Sequence, residues 1–238
     1  MEILKTYPYF FANLPLLILC LILPVFLRNS TAVRTTYYSG LGCMPCSLAA
    51  LLHNDGYWQP VRLGRLPYGI EDLIFAYIVG VAIWMGVSWQ LREELIIGAV
   101  SIPKAISRLL PAGLLSGALM VVLYAAGMDP MTVVLVVGCA LVIALLFQRR
   151  SLWRLSAVGS VIFPLFYIPV VNLQFQLWPD YLLDWNPGGP WVKLFLGIPV
   201  GEVLWSVMFG ALWPALLATA LDIKLRTRGR ADTEWPVN

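Results

Sequence analysis

Gly69-Ile70-Glu71-Asp72-Leu73-Ile74-Phe75 opens an apolar run that continues to Leu91. Two neighbouring carboxylates stand at the head of a stretch long enough to cross a bilayer, whose hydrocarbon core of about 30 Å takes roughly 20 residues of helix. A carboxylate placed there costs roughly 2.5–3.5 kcal/mol or more, so it faces the bundle interior or a wet cavity and marks function. A gapless shift of 130 residues lays Pro199-Val200-Gly201-Glu202-Val203-Leu204-Trp205 over this stretch, with Leu196 on Leu66 and Gly210 on Gly80. Each copy follows an aromatic, proline-containing loop: Tyr57-Trp58-Gln59-Pro60 before the first, Trp185-Asn186-Pro187 before the second.

Outward from these motifs the chain divides into seven apolar runs: Phe10–Leu27, Thr35–Leu52, Gly69–Leu91, Leu109–Met128, Met131–Phe147, Leu155–Leu173 and Val192–Ile223. Thr35, Thr36, Tyr37, Tyr38 and Ser39 dilute the second, which leaves a re-entrant segment, and a six-span chain, as the alternative. The first contains Pro15 and Pro24 and ends at Arg28 without a small-residue cleavage site, so it reads as a helix of the mature chain. The fold class expected is an all-α polytopic membrane protein. About seven transmembrane helices form two parallel three-helix repeats, 1–92 and 131–224, joined by a linking helix in 93–130 and followed by a basic tail, 225–238. Corresponding spans lie four apart, which makes the halves parallel, related by an axis along the membrane normal. The competing explanation is that apolar helices align by chance; matched acids at Asp72 and Glu202 argue against it.

Composition agrees. The 238 residues are 60% hydrophobic and 12% charged, with mean hydropathy +0.79, against about 45–50% and 25% in soluble domains. A water-soluble globule and a disulfide-stapled secreted scaffold are excluded. The net charge of +3 gives no argument for nucleic acid. Basic residues are sorted by loop. Seven spans put Arg28, Arg34, Arg92, Lys104, Arg108, Arg149, Arg150, Arg154, Lys224, Arg226, Arg228 and Arg230 on one side; Lys5, Arg62, Arg65 and Lys193 fall on the other. Cytoplasmic loops carry the excess of Lys and Arg, so the expected topology is N-terminus outside and C-terminus cytoplasmic, in the inner membrane.

Glu71, Asp72 and Glu202 are the candidate catalytic residues, in the first turns of the third and seventh spans. A helix N-terminus favours a carboxylate anion by roughly 0.3–1 kcal/mol, while deep apolar burial favours the neutral acid and outweighs it. A carboxyl kept protonated near neutral pH is what general-acid chemistry requires. The plainer reading is that these acids cap their helices and contact Arg62, Arg65 or Lys193.

The run from Tyr57-Trp58 through Leu66-Pro67-Tyr68-Gly69-Ile70-Glu71-Asp72-Leu73-Ile74-Phe75 resembles the signature of the integral-membrane lycopene cyclases of the heterodimeric or fused type. That motif reads roughly proline, aliphatic, two acids, any residue, aliphatic, aromatic, once per three-helix domain. Ile198-Pro199-Val200-Gly201-Glu202-Val203-Leu204-Trp205 matches with one acid replaced by Gly201, and Gly69 stands where the first copy would have proline. The resemblance implies a cofactor-independent cyclisation of polyene ends. An acid protonates a terminal double bond, a ring closes on the carbocation, and a base removes a different proton. Asp72 is the expected donor and Glu202 its counterpart. No metal or other cofactor is implied; the partners are a lipophilic isoprenoid or carotenoid substrate and membrane lipids, with a homo-oligomer left open.

A carbocation needs a dry chamber and electron-rich ring faces, each cation–π contact being worth about 2 kcal/mol when desolvated. Trp58, Phe75, Trp84, Trp185, Trp205 and Trp213 lie on or beside the motif helices as candidate substrate contacts. Interfacial belts of Trp and Tyr account for Tyr7, Tyr9, Trp58, Trp178 and Trp185 without chemistry. Phe75 and Trp205, one turn below the acids, are the stronger candidates. Cys43-Met44-Pro45-Cys46 has redox spacing, but Cys20 and Cys139 fall inside spans, which favours packing. His53, the single histidine, builds no metal cluster. Gly113, Gly117, Ala118 and Gly210 read as close helix contacts. Two other functions remain: a seven-helix terpene cyclase of prenylated substrates, and a transporter or binding subunit for lipid or isoprenoid.

Overall fold

The computed structural model describes residues 6–27, 30–53, 56–64, 66–98, 100–185 and 189–226. Lys5, Arg28, Arg65, Asn186, Pro187, Arg228 and Arg230 from the charge and loop readings lie outside the described residues.

The described chain is an all-α polytopic bundle. Its seven long helices are α1 (Pro8–Ile22), α2 (Ser30–Cys43), α3 (Ile70–Gln90), α4 (Ile102–Ala125), α5 (Pro130–Gln148), α6 (Trp153–Leu177) and α7 (Val200–Leu221). Six of them, with the 3-10 turns that continue α1 and precede α6, are long and apolar enough to cross a membrane; α2 is the exception. Its shortfall has a structural reason. Thr35, Thr36 and Ser39 are fully buried and turned to their neighbours: Trp84 Nε1 donates to Thr35 Oγ1 at 3.3 Å, Ser39 Oγ to the Gly80 carbonyl at 2.6 Å and Trp213 Nε1 to Ser39 Oγ at 2.8 Å. Helical turns carry α2 on to His53, where Ser47 and Tyr68 share a hydrogen bond at 2.7 Å. The run therefore follows α3 in the opposite direction from Trp84 up to the residues before its first turn, and the candidate spans among the described residues number six.

Two boundaries differ from the hydropathy reading. α4 starts before Lys104 and Arg108 because Pro103 sits in its first turn and long basic side chains can snorkel to the interface. α7 starts at Val200, because β2 (Leu194–Phe195) and β3 (Ile198–Pro199) form a hairpin in the loop before it. Leu196 and Gly197 turn that hairpin with φ of 55° and 83°, the paired left-handed geometry that matches strand twist.

α3 packs most closely on α2 and α7 on α6, and each also packs on the helix before that, α1 for α3 and α5 for α7. Both closest crossings are made by glycines. A Cβ on Gly80 would fall 2.6 Å from the Ser39 carbonyl and 3.1 Å from Gly40 Cα; one on Gly210 would fall 2.4 Å from the Gly159 carbonyl. Gly113 and Gly117 are different: nothing lies within 4 Å of a Cβ built on either, so within the chain they are not close contacts. α4 packs chiefly against α5 and α7 and turns most of its surface outward.

α3 and α7 start at the same end, with Phe75 and Trp205 ring to ring, centroids 5.9 Å apart. At the other end β1 (Leu95–Ile96) pairs with β4 (Lys224–Leu225). Arg154 pairs there with Glu94, Arg149 reaches Asp222 at 3.8 Å, and Arg108 donates to the Ala220 carbonyl at 3.1 Å.

Candidate active site

A cavity of about 870 Å³ lies among α1, α3 and α6, roofed by the loops before the motif helices. Asp72 and Glu202 both line it, as do Trp58, Phe75, Trp185 and Trp205. The roof is held by the two aromatic loops themselves: Trp58 and Trp185 form an antiparallel bridge, and the Gln59 amide donates to the Asp184 carbonyl at 2.7 Å.

The two carboxyls have different partners. Asp72 accepts from Arg62 Nε at 2.8 Å and Nη2 at 3.1 Å, from the Gly69 amide at 2.8 Å and from Tyr9 at 3.4 Å. The guanidinium and the amide can only donate, so both oxygens of this carboxyl act as acceptors. Its bond to Gly69 also satisfies a free amide at the start of α3. The plainer reading of Asp72, a cap paired with Arg62, is thus correct as geometry, and the same residue still faces the cavity.

Glu202 accepts from Tyr57 at 3.0 Å, Trp185 Nε1 at 3.3 Å and Tyr167 at 2.5 Å. No ion pair to Glu202 occurs among the described residues. Two of its partners are hydroxyls, which can donate or accept; a protonated Glu202 could donate back to either. Burial first, and then the Glu202 carboxyl, hold the Tyr57 phenol above the usual tyrosine range, which keeps Tyr57 a proton carrier and not a phenolate.

Gly201 is explained by the same contacts. A Cβ there would lie 2.6 Å from the Tyr57 hydroxyl and 3.1 Å from Trp191 Cβ. The position that carries Glu71 in the first motif is filled from outside in the second.

Three expected site residues do not reach the cavity. Glu71 is fully buried beside the loop and accepts from the Leu63 amide at 2.5 Å, tying that loop down on α3. Trp84 and Trp213 are buried at the crossing with α2 through Thr35 and Ser39. Helical spacing sets the face of each side chain, and the face of α3 and α7 that carries these tryptophans is the one α2 covers. Cys43 is buried behind the wall, and Cys46 lies on it. Among the described residues no three His, Cys, Asp or Glu side chains converge as metal ligands.

Five site residues were not singled out as such by sequence: Tyr9, Tyr57, Tyr167, Tyr181 and Arg62. The signal for Tyr57 was its place beside Trp58, and for Tyr167 a phenol deep in an apolar run. Tyr181 sits in the roof, where burial, then Asp184, Glu202 and Asp72 in that order, push its phenol up. Asp184 itself is pushed up to about 7 by burial, against the opposing effects of the Val61 amide and Arg62.

Below the acids, ring faces succeed one another. Trp205 meets Phe163 at 5.8 Å and Tyr167 at 5.3 Å, and stacks on Phe209 at 5.2 Å. An aromatic-walled, apolar chamber with one carboxyl paired to a guanidinium and a second on hydroxyl partners can transfer a proton and shelter a cation. No family model, curated protein or solved structure matches this chain.

Proposed function

We propose that this chain is a membrane-embedded isoprenoid cyclase, of the kind its motifs resemble, working by proton-initiated carbocation cyclisation without redox change. One observation carries the reading: two carboxyls, one from each motif helix, share a single apolar cavity, and among the described residues only Asp72 is bound to a cation.

Each step has a residue. Glu202 is the donor, since its hydroxyl partners tolerate both of its protonation states; Asp72, the donor expected from sequence, is the base. A terminal carbon–carbon double bond takes the Glu202 proton, the adjacent double bond attacks the cation, and a ring closes. Phe75 and Trp205 line the cavity one turn below the acids, and a desolvated cation on an aromatic ring is stabilised by about 2 kcal/mol per contact. Protons beside a carbocation are acidic enough for a weak base, so the Arg62-paired Asp72 suffices. One proton is added and one removed, so substrate and product are isomers.

The described basic residues of the inner loops gather at the end of the bundle away from the acids, supporting an N-out, C-in orientation in the inner membrane. The repeat reading is supported by the two glycine crossings. The test is expression in cells that accumulate lycopene, with pigments separated by chromatography. Cyclic carotenes are expected from the native chain and from Glu71→Gln, and are lost with Glu202→Gln and Asp72→Asn. Cyclisation that survives both of the latter would remove the acid–base assignment.

A further inference from the structure

The cavity is not a round chamber beneath the acids. Its wall follows α1 from Tyr9 to the residues just past its end and α3 from Asp72 to Gln90, about 27 Å at 1.5 Å per residue. A sphere of 870 Å³ would be only about 12 Å across, so the space is a slot drawn out along the helices. Its carboxyls lie at one end. Beyond Phe75 the α3 wall is Ile78, Val79, Ala82, Met85, Gly86 and Trp89, ending at Gln90.

The roof and the flanks are also closed differently. Tyr9, Tyr181 and Trp185, around the acids, are 1%, 4% and 5% exposed. Leu23, Phe26, Leu165 and Phe166 line the same slot and are 41%, 76%, 67% and 58% exposed. Leu23 and Phe26 lie on the turn that continues α1 and Leu165 and Phe166 on α6, the flanks of the slot. Gln174 Nε2 ties the flanks near the acid end, donating to the Ala12 carbonyl at 3.4 Å. The open side is therefore within the apolar spans, where bilayer chains would lie against it.

We propose that the cleft between α1 and α6 is a lateral portal, through which a linear polyisoprenoid chain slides from the bilayer to lie along α3, one terminus at Asp72 and Glu202 and its tail over Ala82 and Gly86. A fatty acid or phospholipid would bring a second anion to an end that already holds two carboxyls; an uncharged chain does not. Only one terminus reaches the acids in this pose. A chain with two reactive ends must withdraw and return reversed, so a product cyclised at one end leaves before the second ring forms. The route and the pose extend the cyclase reading and rest on it only for the reaction at the acid end.

The experiment uses the purified chain in phosphatidylcholine nanodiscs and tritiated squalene, a linear isoprenoid hydrocarbon, as the probe. Saturable retention is expected, weakened at least tenfold by Ala82→Phe and unchanged by Leu115→Phe on the outward face of α4. In a second arm, in a chain whose Cys20, Cys43, Cys46 and Cys139 are replaced by Ala and which retains squalene like the native chain, Leu23→Cys and Phe166→Cys are joined after folding by a cleavable bis-maleimide. Squalene uptake should slow at least tenfold and recover when the linker is cut. Equal retention by Ala82→Phe and the native chain, or uptake through the linked cleft at the native rate, overturns the proposal. Retention without cyclisation of any chain supports the slot and removes the cyclase reading; cyclisation without saturable retention does the reverse.

Discussion

The Tyr167 hydroxyl meets Glu202 Oε2 at 2.5 Å, reaching it from α6, which runs antiparallel to the helix that carries the acid. It is the nearest of the three partners of Glu202 and, with Tyr57, one of two that can return a proton to it. Tyr167→Phe removes that hydroxyl and little volume. Cyclisation in isolated membranes is expected to fall by roughly 10²-fold, the lower end of general acid–base effects, with the melting temperature nearly unchanged. An undiminished rate would show that Tyr167 only packs.

Asp72 and Arg62 form a pair whose side chains are 1% and 5% exposed. Breaking such a pair from one side leaves a buried charge and costs about 3–5 kcal/mol. Arg62→Met and Asp72→Asn should each lower the melting temperature in detergent, and the double variant should recover most of the loss. Glu202→Gln, with no ion pair among the described residues to break, should melt near the native temperature. If all four variants melt alike, the pair is not holding the roof.

Gly201→Glu restores the acid that Glu71 supplies in the first motif, but its Cβ has no room beside Tyr57 and Trp191. We expect a less stable chain, by about 1–3 kcal/mol as for overpacked cores, and no gain in activity. A thermal melt beside a pigment assay checks both, and a stable, more active Gly201→Glu would contradict the packing.

Gly159 and Gly210 meet backbone to backbone. Ala at either forces α6 and α7 apart and should reduce stability by about 1–3 kcal/mol or more. Gly113→Ala and Gly117→Ala enter open space and gain about 0.5–1 kcal/mol from helix propensity. Melting temperatures of the four variants should separate into two groups of opposite sign.

Asp184 provides a pH signature. Its carboxyl is pushed up to about 7 from an ordinary 3.8, so between those values the folded chain binds a proton that the unfolded chain has lost. Its contribution to stability is full below about pH 4, declines as pH rises towards 7 and is level above. Asp184→Asn should flatten this part of the profile in thermal melts across that range. A native profile that rises from pH 4 to 7 and loses that rise in the variant would reverse the sign and remove the argument.

Much of the architecture was legible because the bilayer constrains sequence strongly. Runs of apolar residues located six of the helices, since a backbone in hydrocarbon must satisfy its own hydrogen bonds. α2 was the weak case because hydropathy counts side chains and not the direction they face: Thr35, Thr36 and Ser39 look inward. Asp72 and Glu202 were visible as acids out of place. Their partners were not, because Arg62 and Tyr57 come from a loop, Tyr167 from α6 and Trp185 from a second loop, and no local periodicity joins residues so far apart.

By itself, the amino-acid order determined that this chain folds as helices in an apolar medium, and which carboxyls stand at the heads of two of them, because those are properties of composition and spacing. Tertiary structure decided that Asp72 is held by a guanidinium while Glu202 rests on phenols and an indole. It also decided that Glu71, Trp84 and Trp213 face away from the chamber. Charge state and solvent access belong to the neighbours a side chain acquires across the fold, and those neighbours exist only once the helices have packed.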